Sequence, residues 1–313
     1  MIQLITRGNS QGYLASYVLQ SLFSEKEIHT VIDNSYTLSG QDFKYDPEAE
    51  AVIILGFPYK PNQEVMTKKA LENVANPFTL VLHICSFGDR MEFQYVNSIV
   101  DEVKSPVAIM LDFLMQGQSD DFISKVVPLK SQDIDRVRSY VDLGDDYHRY
   151  DFSIKRTVDP ITFNDFLNFY GEFTYSIVGE KTLAELLESH RTEFKALNVK
   201  RENYMKRRLQ LAEIKLAGNY LVAILYAEEY PNEIAHWLIN QYGKAGMQKI
   251  VVLVGDKTKG DDMFRVRTKG AHAGEVAKYL NNGNGKENVG TVFLGNASKH
   301  TAEVVINMLS SLP

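Results

Sequence analysis

Sulfur chemistry is nearly missing from this chain. Its 313 residues hold one cysteine, Cys85, which excludes internal disulfides and cysteine-based zinc sites and makes a reducing cytoplasm the expected compartment. Also missing is any apolar run near the roughly 20 residues that a membrane span needs. The longest runs, AVIILGFPY and KIVVLVG, have strand length, so no membrane partner is expected. The start, MIQLITRGNS, lacks the basic region, apolar stretch and small-residue cleavage site of a signal peptide. A net charge of -6 excludes a broadly basic nucleic-acid surface, although a local basic groove fits inside an acidic protein. Several catalytic patterns are absent as well. The 7 histidines form no HxxxH or HExxH pair, no serine sits in a nucleophile elbow, and VGEKT at 178–182 lacks the full phosphate-loop pattern and reads as a helix start.

What is present is a length beyond one typical domain, with 44% hydrophobic residues to build two cores. IQLIT, HTVID, AVIILGF and FTLVLHI read as strands. Between them lie helical patterns at 11–24, with Leu14, Val18, Leu19 and Leu22 on one face, and at 63–75. That alternation predicts a parallel, helix-flanked sheet. From Gly88 to Asp151 the pattern is mostly helical, and 152–217 reads as a helical connector that stops at Gly218. A smaller α/β unit follows, with strands YLVAILYA, KIVVLVG, FRVRT and TVFLG, helices at 230–243 and 272–281, and a last helix from Ser298. The expected fold is therefore α/β, with domains at 1–151 and 218–313 joined by the connector.

Three stretches carry possible chemistry. The glycine-rich run Asn282–Gly290 follows a helix and leads into a strand, which is the wrong context for a dinucleotide fingerprint. Its amides and Lys286 either cradle an anion or form a plain turn. Arg265 and Arg267 lie two apart on one strand and so share a face, where salt bridges or an anionic ligand would satisfy them. The set Asp142, Asp145, Asp146 and Asp151, with His148, is the only dense group of hard-cation ligands, and it reads either as a metal site or as a solvated acidic loop.

The stretch from VAILYAEEYPNEIAHWLI through FRVRTKGAHAGEVAKYLNNGNGKENVG resembles the DHH-associated domain of DHH-family phosphoesterases. There, a strand ending in an RS pair, a helix and a GGGHxxAAG loop bind the nucleotide. The resemblance places Arg267 and Thr268 on the pair, and Gly283, Asn284, Gly285, Lys286 and Gly290 on the loop. The N-terminal TRGNSQGYLAS lies without a gap on the family's THxDxDGxGS and keeps Thr6 and Gly12. The metal ligands of that motif are replaced: Arg7 stands for histidine, and Asn9 and Gln11 for the two aspartates. The next family aspartate falls on Gly56. The Asp-His-His itself falls on Leu82, His83 and Ile84, and the later aspartate motif on Asp145 or Asp146.

A two-metal hydrolase needs carboxylates to offset four positive charges. Arginine carries only donors and stays protonated, so Arg7 cannot ligate a metal. The substitutions convert a cation pocket into one that favours anions, or else mark a decayed site in which Arg7 bridges Asp33. The leading expectation is a catalytically degenerate, metal-free DHH-type protein that binds a nucleotide, dinucleotide or short single-stranded oligonucleotide in an interdomain cleft. Its phosphate contacts would come from Arg7, Asn9, Gln11, Arg265, Arg267, Thr268, Gly283, Asn284, Gly285 and Lys286. One alternative is a manganese-dependent phosphodiesterase or exonuclease with a reduced site of His83, Asp145 and Asp146. Another is a scaffold or regulator, as a homodimer or with a protein partner.

Overall fold

The structure is a computed structural model and describes residues 1–23, 25–34, 46–60, 79–93, 96–116, 133–149, 156–256, 262–294 and 301–310. The helix expected at 63–75, Asp151, and the expected helix start at Ser298 lie outside the described residues. The chain forms two compact units, Met1–Leu197 and Asn198–Pro313.

The first unit is built on five parallel strands: β1 (Ile2–Thr6), β2 (Ile28–Ile32), β3 (Ala51–Leu55), β4 (Leu80–Cys85) and β5 (Val96–Val100), in the order β2-β1-β3-β4-β5. Strands buried on both faces need near-continuous apolar runs, and β1 and β3 are buried at every position. Alternation sends Leu4, Ile53, Leu82 and Ile84 into one core, while Ile5, Val52, Ile54 and Val81 enter another on the opposite face. The first core is covered by α1 (Ser10–Leu22), α2 (Pro106–Gln116) and α3 (Ile134–Arg149). Leu14, Val18 and Leu22 of α1 follow the helical repeat and are fully buried. The strand β5 falls in a region whose pattern reads as helical, because Asn97 and Ser98 interrupt its apolar run.

The segment expected as a connector belongs mostly to this first unit. It comprises α4 (Pro160–Tyr170), a 3-10 turn (Gly171–Phe173), α5 (Thr174–Val178), α6 (Leu183–Ser189) and α7 (Arg191–Leu209). Phe163, Phe166, Leu167, Leu186 and Phe194 are buried in the first core, with the rings of Phe166 and Phe194 stacked at 4.5 Å. Such burial ties α4 to α6 to the sheet rather than leaving them as a linker.

The second unit is a mixed six-stranded sheet, ordered β10-β11-β9-β8-β7-β6. Its strands are β6 (Glu213–Ala217), β7 (Tyr220–Tyr226), β8 (Ile250–Asp256), β9 (Asp262–Lys269), β10 (Asn284–Gly285) and β11 (Val289–Leu294). One face carries α8 (Pro231–Lys244); the other carries α9 (Ala273–Asn281) and α10 (Thr301–Ser310). Gly218 does not end a helix. It occupies φ +56 in the two-residue turn of the β6–β7 hairpin, where a positive φ at the first turn position favours glycine. No helix among the described residues is long and apolar enough to cross a membrane.

Candidate functional site

The sheet order of the first unit reverses between β1 and β3. In open α/β sheets, ligands bind outside the carboxyl ends of the strands at such a switch point. Here Thr6 and Leu55 end the two strands side by side, with the Thr6 hydroxyl donating to the Leu55 carbonyl. The loop Arg7–Asn9 leaves β1 and Gly56 leaves β3, so the motif TRGNSQG sits where the fold places ligands.

The backbone of that loop is held from several sides. Asn9 is extended (φ -145°) and caps α1, its Oδ1 accepting from the Gly12 amide at 3.1 Å. The Gly8 amide donates to Asn34 Oδ1 at 3.1 Å, and Ser10 Oγ donates to Asn164 Oδ1. Gly12 is required by packing, since a β-carbon there would lie 2.1 Å from the Arg7 carbonyl oxygen. With Gly12 capped by Asn9 and Tyr13 bonded to the Asn9 carbonyl, the amides of Ser10 and Gln11 are the remaining first-turn donors.

The three motif residues play different parts. Arg7 is half-buried; burial raises the pKa of the Cys85 thiol at the end of β4, opposed by hydrogen bonds from the Phe87 and Ser86 backbone and, to a smaller extent, by the Arg7 charge. Asn9 spends its oxygen on the cap and keeps its amide nitrogen. Gln11 is turned away from the expected role: its Nε2 donates to the Gly144 carbonyl at 3.0 Å, leaving Oε1 buried and without a partner among the described residues. A spare acceptor does not hold phosphate, so Gln11 fastens the loop to α3.

His83, Asp145 and Asp146 are not brought together. His83 alternates with Leu82 and Ile84 and so lies on the sheet face opposite α1 and α3, fully buried. Its Nε2 is 2.7 Å from the Phe57 carbonyl and its Nδ1 2.9 Å from Ser98 Oγ. A carbonyl only accepts, so Nε2 bears the proton and Nδ1 accepts from the serine. Burial lowers the pKa of this histidine, and no lone pair is left for a metal.

Asp145 and Asp146 lie on α3, not on an acidic loop. Asp145 accepts from the Ser105 amide at 2.6 Å and pairs with Arg149 at 2.9 Å. Asp146, with its side chain 1% exposed, bridges Arg149 at 3.1 Å and Arg156 at 2.6 Å. Two arginines at α3 thus neutralise these carboxylates.

In the second unit the expected elements divide between the two faces of the sheet. Val266 points into the core beneath α9, which sends Arg265 and Arg267 to the α8 side. Arg267 donates to Asn232 Oδ1 at 2.7 Å, and Arg265 Nη1 is buried without a hydrogen-bond partner among the described residues. Thr268 faces the other way and donates to the Ala271 carbonyl at 2.6 Å.

The glycine loop is a closed hairpin. Lys286 N bonds Val289 O at 2.7 Å, Gly283 N bonds Ala277 O at 3.0 Å, and Gly285 N bonds Asn284 Oδ1 at 2.8 Å. The loop returns its own carbonyls to α9: Ala273 N donates to Glu287 O and Gly274 N to Lys286 O, while Glu275 N is capped by His272 Nδ1. Those amides are unavailable to an anion. Gly285 serves this close approach, since a β-carbon on it would lie 2.4 Å from Val289 O.

A DHH-domain protein described as a member of a family of ribosomal proteins superimposes on this chain with a TM-score of 0.63 at 11% identity, covering 99% of this chain and 87% of its own. The chain has the DHH-family fold. A pGpG-specific phosphodiesterase, PggH from Vibrio cholerae, matches with a TM-score of 0.53 at 16% identity over 99% of both chains. Exonuclease RecJ bound to manganese matches with 0.53 at 12% identity, covering 100% of this chain and 90% of RecJ. No protein-family model matches the sequence, and no curated protein does.

A DHH-type fold implies a divalent metal centre, and among the described residues the positions on its motifs do not fit one. Among the described residues no three His, Cys, Asp or Glu side chains converge as ligands. Gly56, at the end of β3, has open space around it but no carboxylate to offer. Arg7 brings positive charge to the place where a metal pair would need negative charge.

Proposed function

We propose that this chain binds the phosphate of a nucleotide, dinucleotide or short single-stranded oligonucleotide without a metal, at the carboxyl ends of β1 and β3, and does not hydrolyse it. The observation that carries this reading is the donor set at the switch point. Arg7, the amide nitrogen of Asn9 and the first-turn amides of α1 all belong to the one loop that leaves β1 there, while the carboxylates of α3 are paired with Arg149 and Arg156. Anions are favoured at a helix N-terminus beside an arginine. The two fold relatives named as a dinucleotide phosphodiesterase and an exonuclease supply the ligand class.

Calorimetric titration of linear and cyclic dinucleotides and short oligonucleotides is the direct test. Micromolar binding without added metal is expected, and no micromolar binding by any of them overturns the reading. Elemental analysis of purified protein gives a separate check: two tightly held manganese ions per chain would contradict it.

A further inference from the structure

A cavity in the first unit runs along the edge strand β2, from Ile28 to Ile32, rather than between the ends of β1 and β3. It has a volume of about 190 Å³ and opens between α1, the edge strand β2 and the 3-10 turn after α4. For scale, an engineered apolar cavity of about 150 Å³ holds benzene, so this one has room for a two-ring planar molecule.

Its walls are chemically mixed. Tyr13 and Tyr175 supply aromatic surface beside the isoleucines of β2, and Gln20, Ser16 and Thr30 form a hydrogen-bonded chain (Gln20 Nε2 to Ser16 Oγ at 2.9 Å, Ser16 Oγ to Thr30 Oγ1 at 2.9 Å). Glu172 lies at the exposed side of the cavity. Neither tyrosine hydroxyl nor the Glu172 carboxylate has a hydrogen-bond or ion-pair partner among the described residues. The space is kept open by the backbone. Gly171, at φ 55° and ψ -125°, is in a region that side chains avoid, and a β-carbon on it would touch the Tyr13 ring at 3.6 Å. Tyr13 also joins the cavity to the β1 loop, since its hydroxyl is 3.4 Å from the point a β-carbon on Gly8 would occupy.

We infer that this cavity binds a guanine base, the base of the nucleotide whose phosphate is assigned above to the Arg7 loop; the connection to phosphate rests on that reading, and the pocket does not. The chemistry is specific. A carboxylate accepts from two adjacent N–H donors, and guanine presents such a pair in its ring N–H and exocyclic amine. Adenine places an acceptor beside its amine and would face Glu172 with a lone pair. Tyrosine rings and isoleucines cover the base faces, as planar heteroaromatics require.

The test is equilibrium titration of the full chain with guanosine, which has no phosphate, alongside adenosine, GMP and benzamidine. Guanosine is expected to bind at least tenfold more tightly than adenosine. Glu172→Gln, an exposed change, should lose at least tenfold in guanosine affinity at an unchanged thermal midpoint, and Tyr175→Leu should weaken it too. Arg7→Ala should weaken GMP and leave guanosine unchanged. If guanosine binds as stated while Arg7→Ala leaves GMP unaffected, the base pocket stands and the phosphate reading falls. Absence of guanosine binding at millimolar concentration, equal affinity for adenosine, insensitivity to Glu172→Gln, or binding of benzamidine in place of guanosine overturns the pocket assignment.

Discussion

His83 donates from Nε2 to the carbonyl oxygen of Phe57 across 2.7 Å, and this contact fixes the tautomer of a ring that burial keeps neutral. Ser98, which bonds the other ring nitrogen, also accepts from the Met91 amide at 2.9 Å, so the histidine anchors the layer beneath β4 and β5.

A pH dependence follows. Burial holds the pKa of His83 below its ordinary 6.5, against a smaller opposing effect of the Phe57 bond. The unfolded chain takes up this proton as pH falls through about 6.5, while the folded chain resists it. The unfolded state then binds more protons, so the stability His83 supplies is complete above about pH 6.5 and is lost as pH drops below it. Urea unfolding at pH 7.5 and 5.5 should show the loss, with a shallower dependence in His83→Gln. Burial also lowers His148 and His236, so some slope remains. Identical slopes in variant and wild type would refute the assignment.

Asp146 gives a prediction of opposite character. Its carboxylate is buried between Arg149 and Arg156, whose side chains are 34% and 30% exposed. Asp146→Asn removes the buried charge between them, leaving Arg149 to Asp145 at 2.9 Å and Arg156 to the more distant Asp142 at 3.8 Å. The expected cost is about 3 kcal/mol, the low end for breaking a buried pair because the arginines retain partial hydration. A midpoint shift in chemical denaturation worth under about 1 kcal/mol would show that solvent already satisfies the pair.

Gly285 in the second unit gives a prediction that unfolding can read. A β-carbon on Gly285 meets backbone at 2.4 Å and 2.5 Å, with no flexible side chain to move aside. Gly285→Ala should cost about 1–3 kcal/mol through forced displacement of the hairpin under α9. Hydrogen exchange should place the loosened amides at Ala273 and Gly274, which bond that hairpin. Unchanged protection there would mean that the hairpin adapts freely.

Much of this architecture was legible from pattern alone. Paired apolar strands and helical repeats gave the parallel sheet and the smaller α/β unit, because burial on two faces leaves a strong compositional trace. Elements with mixed patterns were not legible. Asn97 and Ser98 mask β5, and EIKLA at 213–217 continues the polar rhythm of α7 although it pairs with β7. The site divided in the same way. TRGNSQG placed the loop, but the Asn164 that bonds Ser10 lies 154 residues away and has no local signal. Alternation separates His83 from the α3 carboxylates, and Arg267 from Thr268, once each strand is set in its sheet. Recognising a motif by order along the chain does not supply that facing.

The proposed phosphate binding rests most heavily on Arg7. A charge-assisted contact contributes about 1.5–3 kcal/mol, which corresponds to about 10- to 150-fold in affinity. Arg7→Ala should weaken dinucleotide or oligonucleotide binding by that factor. Arg7→Lys should fall between, since lysine keeps the charge but lacks the planar fork that grips two phosphate oxygens. Because phosphate contact is electrostatic, wild-type affinity should decline with added salt and the alanine variant should show a smaller salt slope. Thermal unfolding of both variants separates this effect from loss of the loop itself, which Asn9→Ala should report as about 1 kcal/mol of lost capping. Equal salt slopes in wild type and Arg7→Ala would place the phosphate elsewhere and return the loop to a purely structural role.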